Sequence, residues 1–258
     1  MEELFMNLPS ISAIILDPIS LVIIGIYVAL MIWEAVAPAR ELPKVKYWKL
    51  KGLVSFATFF LLSSYLPLIW DNYLIEYQIF DLTGLGVFGG AVFGFVIYEF
   101  ALYVWHRAMH ASDFLWKVFH QMHHSIERMD SYSAFYFSPM DMIGFTFLGS
   151  FCFTIIAGFD PKAVVIIILI TNFFAIVQHC NISTPYWIGY LVQRPEGHTY
   201  HHKKGVHAYN YSDLSFIDML FGTFNNPKVH PKESGFYSGG SDKIVDMILF
   251  RDINKKNS

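Results

Sequence analysis

Five long apolar stretches, at roughly residues 19 to 37, 52 to 70, 82 to 105, 141 to 158 and 162 to 180, constrain this chain more than any other feature. A helix that crosses a bilayer needs about 20 mostly apolar residues. The stretches therefore predict an all-α integral membrane bundle of about four to five transmembrane helices. Composition agrees, with 54% hydrophobic and 15% charged residues and a mean hydropathy of +0.40, where soluble domains carry about 25% charge.

A net charge of −3, with no run of lysine and arginine, no P-loop and no dinucleotide fingerprint, argues against nucleic acid as a partner. Cys152 and Cys180 lie in or at the end of apolar stretches and read as buried thiols. The first basic residue is Arg40, so the opening apolar stretch lacks the positive flank of a cleaved signal and reads as a retained anchor. The 258 residues suit one membrane-embedded unit: anchor helices over 1–81, a histidine-rich catalytic core over 82–226 and a cytoplasmic tail over 227–258.

The linkers orient the bundle. Residues 38 to 51 hold Arg40, Lys44, Lys46, Lys49 and Lys51 against one acid, whereas 71 to 81 hold Asp71, Glu76 and Asp81 and no base. The positive-inside rule makes the first linker cytoplasmic, and counting spans onward brings every histidine cluster to that same face. The fourth stretch is interrupted by Gly144, Gly149 and Gly158, and near the end "DKIVDMILFRDI" has the spacing of a helix that docks on headgroups.

Three clusters carry the chemistry: "HRAMH" (His106, His110), "HQMHH" (His120, His123, His124) and "HTYHH" (His198, His201, His202). Spacings of three and four put side chains on one helix face, so each box is expected to point its imidazoles at a single spot. A shuffled chain would show HxxHH only about 0.02 times, so two copies exceed a chance motif. Imidazole binds zinc, copper, iron and nickel, and eight histidines exceed what one tetrahedral zinc uses. Two metal ions are the economical reading.

His179, at the predicted cytoplasmic end of the fifth stretch, is a further candidate ligand, and His207 a weaker one; His230 reads as an ordinary polar-tail residue. Neutral imidazoles do not cancel two cations, so carboxylates beyond the ligands are expected to help. The candidates are Glu99, seven residues before His106, together with Asp130, Asp213 and Asp218. Taken singly, each is more readily a solvated or capping acid. "SYSAFYFSP" (131–139) and the glycine-rich "GLGVFGGAVFG" are candidate walls for an apolar path, although such patterns more often pack helices.

"HRAMH", "HQMHH", "QHCNI" and "RPEGHTYHH", followed by "NYSDLSFIDMLFGTF", resemble the fatty acid hydroxylase and sterol desaturase superfamily over roughly residues 85 to 226. The resemblance implies a helical membrane enzyme whose cytoplasmic histidines hold two iron ions and which uses O2 to hydroxylate or desaturate a lipid. It also implies a separate electron-donating redox protein, cytochrome b5-like or ferredoxin-like. Where many relatives carry His-Pro, this chain has Ser138-Pro139. Attack on an unactivated C–H bond needs an oxidant that no side chain supplies, and with no flavin, nicotinamide or haem signature the histidine-held metals remain. Two other classes stay open: a zinc enzyme using metal-bound hydroxide, and a metal transporter, which would need ionisable residues threaded through the spans. The membrane is expected to be a bacterial inner membrane, or the endoplasmic reticulum if Lys255 and Lys256 form a retrieval signal.

Overall fold

The structure, a computed structural model, describes residues 8–254; the lysine pair at 255–256 lies outside the described residues. Among them, four helices are long and apolar enough to cross a membrane. They are α1 (Pro18–Val36), α2 (Trp48–Leu74), α3 (Gly86–Ala111) and α4 (Pro139–Ser150), the last extended by a π-helix over Phe151–Ile156. Gly144 and Gly149 do not break the fourth stretch, because the chain continues through them in helical conformation, whereas Gly158 lies beyond the helix end at Ile156.

The fifth stretch forms α5 (Pro161–Val177), which is shorter than the sequence suggests. Its 17 residues span about 25 Å at 1.5 Å per residue, less than the roughly 30 Å of a hydrocarbon core. It ends early because the chain tightens after Val177, with His179 N donating to Ile176 O and Cys180 N to Val177 O.

Three helices begin the same way. Asp17, Ser138 and Asp160 each cap a helix through a side-chain oxygen and are each followed by a proline at the first helical position, before α1, α4 and α5. The cap satisfies an orphan N–H, and proline, which has none to lose, presets φ.

Helix α5 packs along α3 and α1, and α2 packs along α4. The glycine-rich start of α3 turns out to be a packing surface: a Cβ on Gly90 would lie 3.1 Å from Ala163 Cβ, and one on Gly94 would lie 2.7 Å from Ile167 Cδ1. Small residues here let α3 and α5 approach closely. A short parallel pair, β1 (Phe80–Asp81) with β2 (Ala157–Gly158), joins the segments that lead into these two helices.

The C-terminal ends of α1, α3 and α5 and the N-terminal ends of α2 and α4 meet at one end of the bundle. Glu34, near the end of α1, accepts from Ser131 N at 2.7 Å and Asn181 N at 3.1 Å, fastening the loops that cross there. Over this end fold residues 112–138 and the segment that carries α6 (Pro195–His201) and α7 (Ser215–Leu220). The helix Ile244–Ile248 packs into the fold through one side. Its Met247 is buried in a cluster with Trp48, Met122, Ile126 and Phe236, while Val245 and Leu249 stay exposed.

Candidate metal centre

The histidines converge as two adjoining groups: His106, His110, His120, His124 and His201 in one, and His123, His179, His198 and His202 in the other, with the ligand atoms of each group within 4.8 Å of one another. His106 and His110 sit one turn apart near the end of α3. His120 closes a π-turn over Trp116–His120 that runs into the short helix Gln121–His124. His179 follows α5, and His198 and His201 lie on α6 with His202 at its end.

Each HxxHH box is divided between the groups, contrary to the expectation of one spot per box. Neighbouring residues on a helix point about 100° apart. His124 therefore faces one group and His123 the other, and His201 and His202 part in the same way.

The hydrogen bonds fix how the imidazoles point. Nδ1 of His106 meets Tyr211 O at 2.9 Å, that of His179 meets Ala175 O at 2.7 Å, and that of His201 meets Tyr209 O at 2.6 Å. A carbonyl only accepts, so these Nδ1 atoms carry the proton and each Nε2 keeps a bare lone pair. Yet His201 Nε2 lies 3.0 Å from His124 Nε2, and His179 Nε2 lies 3.1 Å from His123 Nε2 and 3.2 Å from His198 Nε2. The buried Nε2 atoms of His106, His110 and His120 and both ring nitrogens of His202 have no hydrogen-bond partner among the described residues.

Convergent, dry lone pairs repel unless a cation lies among them. Nitrogen separations of roughly 3.0–3.4 Å are the edges of a coordination shell whose bonds are about 2.1 Å long. The two groups are thus compatible with metal binding. Burial, reinforced by the neighbouring imidazoles, holds His120, His123, His124, His198, His201 and His202 well below the ordinary histidine pKa, and burial brings His179 down to about 4. Neutral imidazole is the form that ligates.

His207 lies outside both groups. Its Nδ1 is 3.1 Å from Nδ1 of His124, on the side of that ring away from His201. His207, Tyr209 and Asn210 all have positive φ (43°, 72° and 54°). This contorted segment is pinned where the Asn210 side chain donates to Gly197 O and Asn225 O, and it delivers the Tyr209 and Tyr211 carbonyls to their histidines. His230 contacts Ile182 O and Thr199 Oγ1, away from the groups.

The carboxylates divide by position. Asp141, which the sequence reading did not single out as a partner, lies 3.0 Å from Nδ1 of His120, with both residues buried. The available signal was its place two residues after the Ser138-Pro139 helix start, in the turn that Ser138 caps. Ser138 also donates to Phe119 O at 3.0 Å, so it braces the second box without being a ligand type. Glu99 Oε2 accepts from Ser212 Oγ and Asp213 N, each at 2.9 Å. Asp213 accepts from Gln178 Nε2 at 2.6 Å, and burial pushes its carboxyl up to about 6. Asp218, likewise pushed up to about 6 by burial, accepts from Tyr211 N and Ser212 N. These three acids hold the 211–213 backbone that carries the partner of His106. Asp130 is bonded elsewhere, to Trp48 Nε1 at 2.8 Å and to Arg128.

A cavity of about 130 Å³ opens beside the histidines. Phe59, Phe135, Phe137 and Phe145 give it an apolar wall, and His106, His120, His123, His179 and His198 also line it. Of the two candidate path walls, the 131–139 segment supplies this one.

Residues 91–223, just over half the chain, match the family model described as fatty acid hydroxylase. Ornithine lipid hydroxylase OlsE of Rhizobium tropici is 31% identical over 163 residues, covering 61% of this chain and 47% of the relative. Sphinganine C4-monooxygenase 1 of Arabidopsis thaliana is 24% identical over 145 residues, 55% of this chain and 56% of the relative. A very-long-chain aldehyde decarbonylase of Oryza sativa subsp. indica is 27% identical over 139 residues, 52% and 54% of the two chains. The chain spans about half the length of the curated relatives it matches. No solved structure matches it. The family match and the four apolar helices make this an integral membrane protein, and the chain belongs to the fatty acid hydroxylase family.

Proposed function

We propose that the chain is a membrane di-iron oxygenase that uses O2 and external electrons to hydroxylate or desaturate a C–H bond of a lipid. The observation that carries this reading is the pair of buried histidine groups, whose Nε2 lone pairs converge next to an apolar cavity. Family membership and the relatives' names support lipid oxidation.

Five histidines in one group exceed the four ligands at which zinc sites close, which favours iron over zinc. In that role His106, His110, His120, His124 and His201 hold one ion, and His123, His179, His198 and His202 hold the other. Iron held there would pass electrons to O2 and so activate it as the oxidant of an alkyl C–H bond.

The protein's own residues do the rest. Carbonyls of Tyr211, Ala175 and Tyr209 and the carboxylate of Asp141 keep Nδ1 protonated and aim Nε2 inward. The phenylalanine wall seats an alkyl segment against the histidines and excludes water. Two electrons per turnover come from a cytochrome b5-like or ferredoxin-like donor at the histidine-bearing end. The lysine-rich linker over 38–51 supports a cytoplasmic position for that end, at a bacterial inner membrane or the endoplasmic reticulum.

Membranes containing the protein, supplied with a reductant and 18O2, test this by lipid mass spectrometry. A product requiring O2 and lost in His123→Ala is expected; equal product formation in strict anaerobiosis rules the reading out.

A further inference from the structure

The apolar wall of the cavity is interrupted at one level. From Ala163 to Val177, α5 has only two polar residues, Thr171 and Asn172, and both line the cavity together with Tyr98 of α3. Thr171 Oγ1 and Asn172 Nδ2 both donate to Ile168 O, at 3.1 and 2.9 Å, while Asn172 Oδ1 and the Tyr98 hydroxyl have no hydrogen-bond partner among the described residues. Polar groups at membrane depth are costly, which makes the unpaired Asn172 Oδ1 and Tyr98 hydroxyl on a cavity wall candidates for ligand recognition.

The helix register measures how far this set lies from the metal centre. Helices α3 and α5 run in the same direction, with Gly90 against Ala163 and Gly94 against Ile167. Another step of four on each helix brings Tyr98 level with Thr171. Two more such steps bring Leu102 level with Ala175, which both line the cavity, and His106 level with His179, one from each histidine group. From Tyr98 to His106 is eight residues, about 12 Å at 1.5 Å per residue.

We propose that Tyr98 and Asn172, with Thr171 beside them, form a binding site for a neutral hydroxyl or amide group of the lipid substrate. The carbon presented to the histidines then lies about 12 Å from that group. This rests on the oxygenase reading and narrows its substrate class. Among the described residues no lysine or arginine lines the cavity, so a carboxylate or phosphate held at this level would be buried without a counter-charge. A neutral group that donates to Asn172 Oδ1 and accepts from the Tyr98 hydroxyl is satisfied.

The test is binding, read from ligand-induced rises in the thermal midpoint of the metal-loaded protein in detergent. The probes are 1-hexadecanol, n-hexadecane and hexadecyl phosphate. The alcohol is expected to bind about tenfold more tightly than the alkane, the worth of one net hydrogen bond, and the phosphate no more tightly than the alkane. Tyr98→Phe combined with Asn172→Leu is expected to abolish the preference, and Tyr98→Phe alone, which removes a single oxygen atom, to lose part of it. Equal binding of alcohol and alkane by the parent protein, tighter binding of the phosphate, or a preference that survives both substitutions overturns the proposal. The assay needs neither O2 nor electrons, so its outcome is separable from that of the oxygenase reading.

Discussion

His120 and Asp141 form a buried pair, the imidazole Nδ1 lying 3.0 Å from Asp141 Oδ2, so an acid at the start of the fourth membrane helix orients a histidine in the second box. Removing such a partner typically lowers metal affinity by about 10–100-fold. Asp141→Leu is expected to release metal to a chelator at a concentration lower by about that factor, and Asp141→Asn, which retains an acceptor oxygen, to lose less. Chelator titration followed by elemental analysis checks both; unchanged retention in Asp141→Leu would show the contact to be incidental.

His207 contacts the Nδ1 of His124 that faces away from His201, which makes it a support for that ligand. His207→Gln, which can still accept a hydrogen bond, is expected to keep both metals. His207→Phe is expected to weaken the five-histidine group alone by about 10-fold. Metal content and the spectrum of a cobalt-substituted protein distinguish these outcomes. Equal loss in both variants would instead make His207 a ligand.

The bundle was legible because hydrocarbon demands long uninterrupted apolar helices, and the histidine boxes were legible because ligand spacing on a helix is periodic. The split of His123 from His124 was also implicit in helical geometry, yet it depends on where the second ion's remaining ligands arrive, which involves His179 and α6 from far along the chain. Asp141 and the Tyr209 and Tyr211 carbonyls carry no local pattern. Asp141 sits beside His120 only because Ser138 caps α4 against the second box, and any residue type could have supplied the two backbone oxygens. The end of α5 at Val177 coincides with the end of the apolar run, since Gln178 and His179 follow it and the chain turns there toward the centre.

Acid should weaken the metal-free fold. His207 and His179 titrate near 4 in the folded protein because burial lowers them, against about 6.5 unfolded. A depressed histidine pKa contributes stability above about 6.5 that is lost as pH falls through the folded value. The buried box histidines shift in the same direction. Asp213 and Asp218, raised to about 6, run the opposite way and regain stability on acidification, but they are fewer. The expected result is a thermal midpoint of the apo protein that drops steadily between pH 7 and pH 4; a flat or rising profile over that window contradicts it.

Gly52, in the first turns of α2, has no room for a side chain, because a Cβ there would collide with the backbone carbonyl of Tyr132. Gly52→Ala is expected to destabilise the protein by about 1–3 kcal/mol by pushing the 130–133 segment off the helix. Thermal unfolding in detergent measures it, and an unchanged midpoint would mean that the segment shifts without cost.

The account depends most directly on how many metal ions the histidines hold and of which element. Protein purified without affinity tags that bind metal, then analysed by inductively coupled plasma mass spectrometry, is predicted to contain close to two irons per chain, falling toward one when His123 and His179 are both changed to alanine. A parent protein holding a single ion, or none after reconstitution with ferrous iron, would contradict it.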